Sequence, residues 1–474
     1  MPRISESQIQ AQYDFMSRVR EINSHRGRLA AYIKTFGCQQ NEADSEELAG
    51  MLALMGYDIE DDAENADIIL INTCAVREHA ESKAMSIAGR FKLLKAKKPD
   101  MIIGVCGCMV TQEGVSANLK EKYPYVDILF GTSELWRMPE ILYTRLSTGK
   151  RVFEPGKGRY SDIAEGLPSV RSDRYRAYIS VMYGCDNFCT YCIVPHVRGR
   201  ERSREREAVL ADVRKAVSEG AREITLLGQN VNSYGHGLYE DYDFADLLRD
   251  VCAADGDFTV RFMTSHPKDM TDRLISVMAA EPKVSKALHL PLQSGSDRVL
   301  RAMNRVYKRD DYLALVSRIR AAMPDIALTT DIIVGFPGET EEDFLDTVDI
   351  VKRVKYDNIY SFIYSPRRGT PAADMEQLPY EIKVDRYQRL IAVQSGMELA
   401  FNRGLEGSTI EVLVEGRSKT DTDKLTGRTE RGKLVHFSGP DCLIGQRIGV
   451  RITHAETFAL YGELPDTSLN GSAL

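Results

Sequence analysis

The sequence has few of the features that mark membrane, secreted or strongly basic proteins. No apolar run approaches the roughly 18 residues that a membrane-spanning helix requires, and a run such as 68–71 has the length of a strand. Residues 1–28 are polar and lack the apolar centre of a signal peptide. The net charge of −7 argues against a uniformly basic nucleic-acid protein, although it permits a local basic patch. We therefore expect a cytoplasmic protein without a membrane partner.

Cysteine has the most informative distribution along the chain. Nine cysteines in a chain of 474 residues without a secretion signal are expected to be thiols or metal ligands rather than disulfides. Four lie in the first third of the chain, three form a compact triplet, and two stand alone. In chain order they are Cys38, Cys74, Cys106, Cys108, Cys185, Cys189, Cys192, Cys252 and Cys442.

Residues 29–147 alternate apolar strands with helices, which predicts an α/β domain with a parallel sheet. The predicted strands are 29–35, 67–72, 101–106 and 127–130. Residues 1–28 form a polar extension before this domain. Residues 148–172 are rich in glycine, proline and charge, which is typical of a linker. The chain length predicts about two to four domains in total.

Residues 173–403 contain a second alternating series, and residues 404–468 are rich in β-structure. The strands predicted in the second series are 177–182, 223–227, 259–264, 286–292, 327–334 and 358–364. Six βα units predict an open or partial (β/α)6 barrel, whose loops at the carboxyl ends of the strands carry the chemistry. The glycine-containing turns after residue 404 predict a small all-β barrel of five strands.

Three cysteines of the first domain follow three successive predicted strands. Cys38 follows the first strand, Cys74 the second and Cys108 the third. Functional groups in a parallel sheet gather beyond the carboxyl ends of its strands. We therefore expect these three side chains to converge in space.

The compact triplet has the sequence YGCDNFCTYC, with the spacing C-x-x-x-C-x-x-C directly after the first strand of the second series. Zinc sites usually combine one C-x-x-C pair with a second, distant pair. A lone triplet suits three corners of a 4Fe-4S cluster and leaves one iron open to a substrate. That iron can bind S-adenosylmethionine (SAM), which is cleaved to a 5′-deoxyadenosyl radical. A structural zinc or a chance grouping of cysteines is the alternative interpretation.

Polar side chains also follow the later strands of this series. Gln229 and Asn230 end the second strand, Ser265 the third and Gln293 the fourth. Their position predicts hydrogen bonds to SAM, whereas a turn or a helix cap is the plainer explanation of each.

Four further segments carry a family resemblance. They are KTFGCQQNEADSE, NTCAVRE, CGCMVTQEG and LPLQSGSDRVL. Together with the triplet, they resemble the methylthiotransferase family of radical SAM enzymes over about residues 29–468. The resemblance implies a second, auxiliary 4Fe-4S cluster held by Cys38, Cys74 and Cys108. It also implies an aromatic residue near the SAM adenine, at Tyr191, although that ring is equally compatible with a core position. Cys106 is expected to be a small buried residue.

The resemblance also implies a reaction and its partners. One SAM supplies a methyl group to sulfur at the auxiliary cluster, and a second yields the radical that abstracts hydrogen from carbon 2 of an adenine. The expected substrate is isopentenyl (dimethylallyl) adenosine next to the anticodon of tRNA. An electron donor such as flavodoxin or ferredoxin is the expected reductant.

Two basic segments are candidates for contacts with RNA. RGRERSRER follows the triplet and supplies Arg198 and Arg200, and GRTERGKLVHF in the last domain supplies Arg428, Arg431 and Lys433. The last domain resembles the TRAM barrel of RNA-modifying enzymes, and small barrels commonly bind nucleic acid. A solvated, salt-bridged surface explains the same charges without RNA.

Three other functions remain open at this point. The same chemistry can act on threonylcarbamoyl-adenosine in tRNA or on a ribosomal-protein side chain. A zinc-stabilised RNA-binding protein without catalysis belongs to a different class. A cobalamin-dependent methyltransferase would need a histidine motif, whereas His79 is the only histidine in residues 29–147 and falls in a helical segment.

Overall fold

The structure is a computed structural model that describes residues 4–76, 78–156, 163–419 and 421–465. The predicted extension, linker and last domain extend beyond this part at residues 1–3, 157–162 and 466–468. Within the described ranges, no helix combines the length and the apolar composition that crossing a membrane requires.

The first domain is a six-stranded parallel sheet covered on both faces. Its elements are α1 (Glu6–Ser24), β1 (Leu29–Thr35), α2 (Gln39–Leu54), β2 (Tyr57–Ile59), β3 (Ile68–Thr73), α3 (Glu78–Lys97), β4 (Ile102–Gly107), α4 (Cys108–Thr111), α5 (Val115–Lys122), β5 (Ile128–Phe130), α6 (Met138–Thr148) and β6 (Val152–Glu154). The strands lie in the order β2-β1-β3-β4-β5-β6. Along β3, Ile68 and Leu70 pack in one core cluster and Ile69 and Ile71 in another, because successive side chains point to opposite faces.

The sequence analysis did not predict the strands β2 and β6 or the helix α1. β2 and β6 have three residues each, too few to show a period. β6 pairs with β5 although it lies within the predicted linker. In the predicted extension, α1 packs on α6 and buries Met16 and Val19. The first domain therefore recruits residues from both flanking segments.

The second domain is an open barrel of six βα units. Its elements are β7 (Arg176–Ser180), β8 (Met182–Tyr183), α7 (Val194–Val197), β9 (Arg202–Ser203), α8 (Arg206–Ser218), β10 (Glu223–Leu227), α9 (Phe244–Cys252), β11 (Thr259–Phe262), α10 (Asp272–Ala280), β12 (Ala287–His289), α11 (Asp297–Ala302), α12 (Arg309–Ala322), β13 (Ala327–Val334), α13 (Glu341–Val354), β14 (Asn358–Ile363) and α14 (Tyr380–Arg403). Two parallel sheets, β7-β10-β11 and β12-β13-β14, meet where Val260 bridges to Val284. β8 and β9 form a short antiparallel pair. The predicted partial (β/α)6 barrel is confirmed.

The third domain is a closed barrel of five strands, as the sequence predicts. The strands are β15 (Thr409–Arg417), β16 (Leu425–Thr429), β17 (Leu434–Phe437), β18 (Arg447–Ala455) and β19 (Leu460–Glu463), in the order β15-β16-β17-β19-β18. Its core contains Val412, Leu425, Phe437 and Val450. Short 3-10 turns occur in the chain at Thr132–Arg137, Val231–Ser233, Pro267–Asp269, Pro371–Asp374 and Asp441–Leu443.

Charged residues dock this barrel onto the second domain. Lys433 Nζ lies 3.2 Å from Glu398 Oε1, and the two side chains are 10% and 5% exposed. Arg431 Nη2 lies 2.7 Å from Asp357 Oδ1, and the Arg431 guanidinium lies over the Phe401 ring. Both cations are therefore engaged at the contact between the domains, and their contact with RNA stays a prediction.

Replacing Lys433 by Met leaves the Glu398 carboxylate buried without its cation. Breaking one side of a buried pair costs about 3 kcal/mol or more, so we expect Lys433→Met to lower the free energy of unfolding by about 3 kcal/mol in a urea titration. Lys419→Met removes an exposed lysine of the same barrel and should change it by less than about 0.5 kcal/mol. Equal stability of the two variants would contradict the docking role.

Candidate active site

The first set of cysteines lies at one edge of the six-stranded sheet. Cys38 directly precedes α2, Cys74 follows β3, and Cys108 begins α4. β1, β3 and β4 are neighbours, so their carboxyl ends bring the three cysteines together. Gly37 has φ +129°, and a Cβ there would lie 2.8 Å from Cys74 Cβ, so the loop crosses Cys74 where only glycine fits. The predicted convergence is observed, whereas the role of the thiols as ligands stays a prediction.

Asn41 fixes the loops that carry this set. It is fully buried. Its Nδ2 donates to the carbonyl oxygens of Phe36, at 3.1 Å, and Thr73, at 2.9 Å. The backbone carbonyl of Asn41 accepts a hydrogen bond from Asn72 Nδ2 at 2.9 Å. The residues that precede Cys38 and Cys74 are therefore held to one side chain.

Arg198 lies against this cysteine set rather than on the surface. It is 6% exposed, and its Nη2 donates to Asp44 Oδ2 at 2.6 Å and to Asn41 Oδ1 at 3.1 Å. Burial raises the pKa of the Cys108 thiol to about 12, and the Arg198 guanidinium opposes that rise. Its charge is therefore enclosed between the first two domains, and its contact with RNA phosphates stays a prediction.

The second set lies in the loop between β8 and α7. The Cys185 backbone N–H donates to the Gly199 carbonyl at 3.2 Å, and that of Cys192 donates to the Cys189 carbonyl at 2.9 Å. Cys185 and Cys189 are buried, and Cys192 is half-buried. Burial raises the pKa of Cys185 to about 11 and that of Cys192 to about 12.

Arg305 is a second buried arginine, and the sequence analysis missed it. Its Nη1 donates to Cys189 Sγ at 3.4 Å, and its Nη2 donates to the Pro291 carbonyl at 3.2 Å. Its guanidinium lies 5.2 Å from the centre of the Tyr307 ring. Each cysteine set thus has one buried guanidinium beside a thiol. The signal in the sequence is weak, because Arg305 is far from the triplet along the chain.

The loops that carry the two cysteine sets pack against each other. Ala75 and Cys108 from the first domain form one buried cluster with Ile193 and Val197 from the second. Ala75 follows Cys74, and Ile193 follows Cys192. The loops that carry the two sets therefore share an apolar contact from which water is excluded.

Each cysteine set supplies three thiols, the donor set of a 4Fe-4S cluster with one open iron. Among the described residues, no three His, Cys, Asp or Glu side chains converge on one point where a single ion would bind. A zinc ion requires such convergence, with Zn–S distances of about 2.3 Å. The thiols of a 4Fe-4S cluster bind different irons and need no common point. Two sets of three thiols, each beside a buried cation, have the chemistry that two such clusters require.

The residues predicted to bind SAM lie at the carboxyl ends of the barrel strands, and several are engaged within the protein. Gln229 accepts from the Gly184 backbone N–H, Asn230 Nδ2 donates to Asp269 at 2.8 Å, and Ser265 Oγ donates to the His289 carbonyl. Gln293 lies there in the left-handed conformation, with φ 70°. Their contact with SAM stays a prediction.

Tyr191 packs against the loop after β13. Its ring contacts a buried cluster that contains Met303, Phe336 and Tyr364. Both interpretations of Tyr191, as core and as a neighbour of the SAM adenine, are compatible with this position.

Two of the predicted RNA-binding residues remain at the surface. The Arg200 side chain is 72% exposed, pairs with Asp186 at 2.9 Å and lies over the Phe188 ring. The Arg428 side chain is 43% exposed and pairs with Glu415 at 3.1 Å. Of the five predicted cations, these two have the most exposed side chains.

Comparison with known proteins assigns a family to each domain. Residues 30–131 match the Uncharacterized protein family UPF0004. Residues 179–351 match the Radical SAM superfamily, and residues 403–464 match the TRAM domain. The three matches follow the three structural domains.

The chain also has close relatives over most of its length. A tRNA-2-methylthio-N(6)-dimethylallyladenosine synthase of Clostridium perfringens is 51% identical over 91% of this chain and 97% of that protein. A protein of the same name from Carboxydothermus hydrogenoformans is also 51% identical, over 91% of this chain and 98% of its own length.

Among solved structures, the radical SAM methyltransferase TsrM from Kitasatospora setae, with cobalamin and a [4Fe-4S] cluster bound, is similar. It has a TM-score of 0.54 and 16% identity over 73% of this chain and 77% of that chain, which shows the fold alone. The level of identity to the two synthases is decisive: the chain belongs to the methylthiotransferase family of radical SAM enzymes, in the branch of the tRNA-2-methylthio-N(6)-dimethylallyladenosine synthases.

Proposed function

We propose that this protein methylthiolates carbon 2 of dimethylallyl-adenosine next to the anticodon of tRNA. The observation that carries the proposal is the direct contact between two cysteine loops, one on each α/β domain. The relatives, 51% identical over nearly their full length, support the same activity. Attaching sulfur to an unactivated carbon requires a radical source and a sulfur source at one substrate, and adjacent cluster sites provide both.

The cofactors are two 4Fe-4S clusters and SAM. Cys185, Cys189 and Cys192 hold the cluster that binds SAM, and the other set of three cysteines holds the auxiliary cluster. When bound, these groups supply the electron, the radical and the methylthio sulfur of the reaction.

The side chains around the cysteines prepare the site for these groups. Arg305 and Arg198 place one positive charge beside each set, which stabilises thiolates in a medium with little water. Ile193 and Val197 exclude water from the contact between the sets. Exclusion of water protects a reactive carbon radical from side reactions.

The RNA, the reductant and the compartment complete the proposal. Arg200 and Arg428 are the predicted cations still exposed enough to meet tRNA phosphates. A one-electron donor such as flavodoxin or ferredoxin reduces the SAM-binding cluster. Because tRNA and low-potential reductants occur together in the cytoplasm, we place the reaction there.

The other functions have less support. The two relatives described above share one name, which favours dimethylallyl-adenosine over threonylcarbamoyl-adenosine or a ribosomal protein. Each cysteine set has three thiols, which suits a 4Fe-4S cluster with one open iron, whereas a structural zinc takes four ligands.

An anaerobic assay on the reconstituted enzyme tests the function. With SAM, dithionite and an anticodon stem-loop that carries dimethylallyl-adenosine, we expect one methylthio group per adenosine by mass spectrometry of the nucleosides. Cys38→Ala should abolish methylthiolation and retain 5′-deoxyadenosine, whereas Cys189→Ala should abolish both. Modification of a threonylcarbamoyl or ribosomal-protein substrate instead would overturn the choice of substrate. A lack of 5′-deoxyadenosine with every substrate, despite full iron loading, would overturn the radical chemistry.

The charge of Arg198 should be needed for iron to stay at the first cysteine set. Arg198→Gln removes a buried cation beside Cys108 and leaves Asp44 without its partner, so we expect the auxiliary iron to be lost several-fold faster to a chelator. Outer-shell partners of metal ligands typically contribute about 10-fold or more to metal affinity. Arg200→Gln makes the same chemical change two residues away at an exposed site and should retain iron like the wild type. Equal rates of iron loss from the two variants would contradict the role of Arg198.

A further inference from the structure

Helix α2 connects the first cysteine set to the second domain. It begins directly after Cys38, and its first turns bury Gln40 and Asp44, which are 4% and 5% exposed. Buried polar groups persist in proteins where they find hydrogen-bond partners. Both of these side chains find partners in the barrel domain, close to the second cysteine set.

Gln40 and Gln229 form a hydrogen-bonded bridge between the two sets. Gln229 Nε2 donates to Gln40 Oε1 at 3.4 Å, and Gln229 Oε1 accepts from the backbone N–H of Gly184. Gln40 lies two residues after Cys38, and Gly184 directly precedes Cys185. Two side chains therefore span the distance between the loops that carry the cysteines.

The bridge is anchored at both ends. Gln40 Nε2 donates to Ser180 Oγ at 2.7 Å, at the end of β7. At the other end, Gly184 has φ +76°, and a Cβ there would lie 2.1 Å from the Arg200 carbonyl oxygen. Gly184 thus lies between the Gln229 side chain and the Arg200 carbonyl. A shift of its loop would break the hydrogen bond to Gln229.

A second connection runs beside the first. Arg198 binds Asp44, one turn further along α2, at 2.6 Å. The next residue, Gly199, accepts the backbone N–H of Cys185 at 3.2 Å. The glutamine bridge and this ion pair hold the same helix against the same loop, so that α2 cannot rotate about either contact alone.

We propose that Gln40 and Gln229 are positioning residues that set the separation of the two cysteine sets, and so couple radical formation at one set to sulfur transfer at the other. The inference rests on the proposed function. A single adenine must meet both groups in turn, and a displacement of about 1 Å in such an arrangement can cost about 10²-fold in rate. Both the oxygen and the nitrogen of the Gln229 amide take part in this bridge, and its contact with SAM stays a prediction.

The test compares Gln40→Leu and Gln229→Leu with a matched control on the same helix. Glu46 also crosses to residues beyond the first domain, since its Oε1 accepts from the Ser172 N–H at 2.9 Å and the Ser172 hydroxyl at 2.7 Å, but it does not touch either cysteine loop. Glu46→Leu removes both of these bonds and therefore controls for general loosening of the contact. Gln40→Asn, which keeps the amide and shortens the side chain, replaces Gln40→Leu if that variant fails to fold.

Two properties of the full-length reconstituted enzyme are measured. The first is the ratio of 5′-deoxyadenosine to methylthiolated adenosine, and the second is the magnetic coupling between the two reduced clusters by electron paramagnetic resonance, recorded without RNA. We expect Gln40→Leu and Gln229→Leu to keep full iron loading and 5′-deoxyadenosine formation, to raise the ratio by about 10-fold and to change the coupling. Glu46→Leu should behave as the wild type does.

An unchanged ratio and coupling in Gln40→Leu and Gln229→Leu would overturn the proposal, as would an equal effect of Glu46→Leu. Failure of the proposed function is distinguishable, because it would remove methylthiolated product from the wild-type enzyme while the coupling, which needs no RNA, still reports on the bridge.

Discussion

Arg198 and Asp44 meet where the first two domains meet, and each side chain has almost no access to water. A charge in such a place is stable only beside its partner, since leaving either one alone costs several kcal/mol, on the order of 3–5. This condition fixes α2 against the barrel domain more strictly than apolar packing does, because an ion pair depends on both distance and direction. The contact of Cys108 with Ile193 and Val197 and the bridge through Gln40 both require α2 in this position.

Much of this site could be predicted from the sequence, because its information is local. The spacing of Cys185, Cys189 and Cys192 needs no tertiary structure to be recognised. The convergence of the other three cysteines follows from strand order, since neighbouring parallel strands end at one edge. The closed five-stranded barrel follows from short strands between glycine-containing turns.

The parts that could not be predicted depend on contacts between distant segments. Arg198, Arg431 and Lys433 have the charge of RNA-binding residues. Their neighbours in the sequence do not show that each pairs with a carboxylate of another domain, namely Asp44, Asp357 and Glu398. Arg305 reaches Cys189 only because the loop after α11 folds back on the triplet. β2 and β6 are strands because each pairs with a neighbouring strand. A segment of three residues is too short for its sequence to predict that pairing. The charge and length of a side chain indicate which contacts it can make, and the fold determines which partner it contacts.

The ion pairs of Arg431 and Lys433 fix the distance between the carboxyl-terminal barrel and the second domain. A domain held by two ion pairs beside the Phe401 ring does not swing freely on its connecting helix. An RNA bound by that barrel would therefore meet the cysteine loops at a constant spacing. The position of the modified nucleotide would then depend on its distance from the barrel along the RNA.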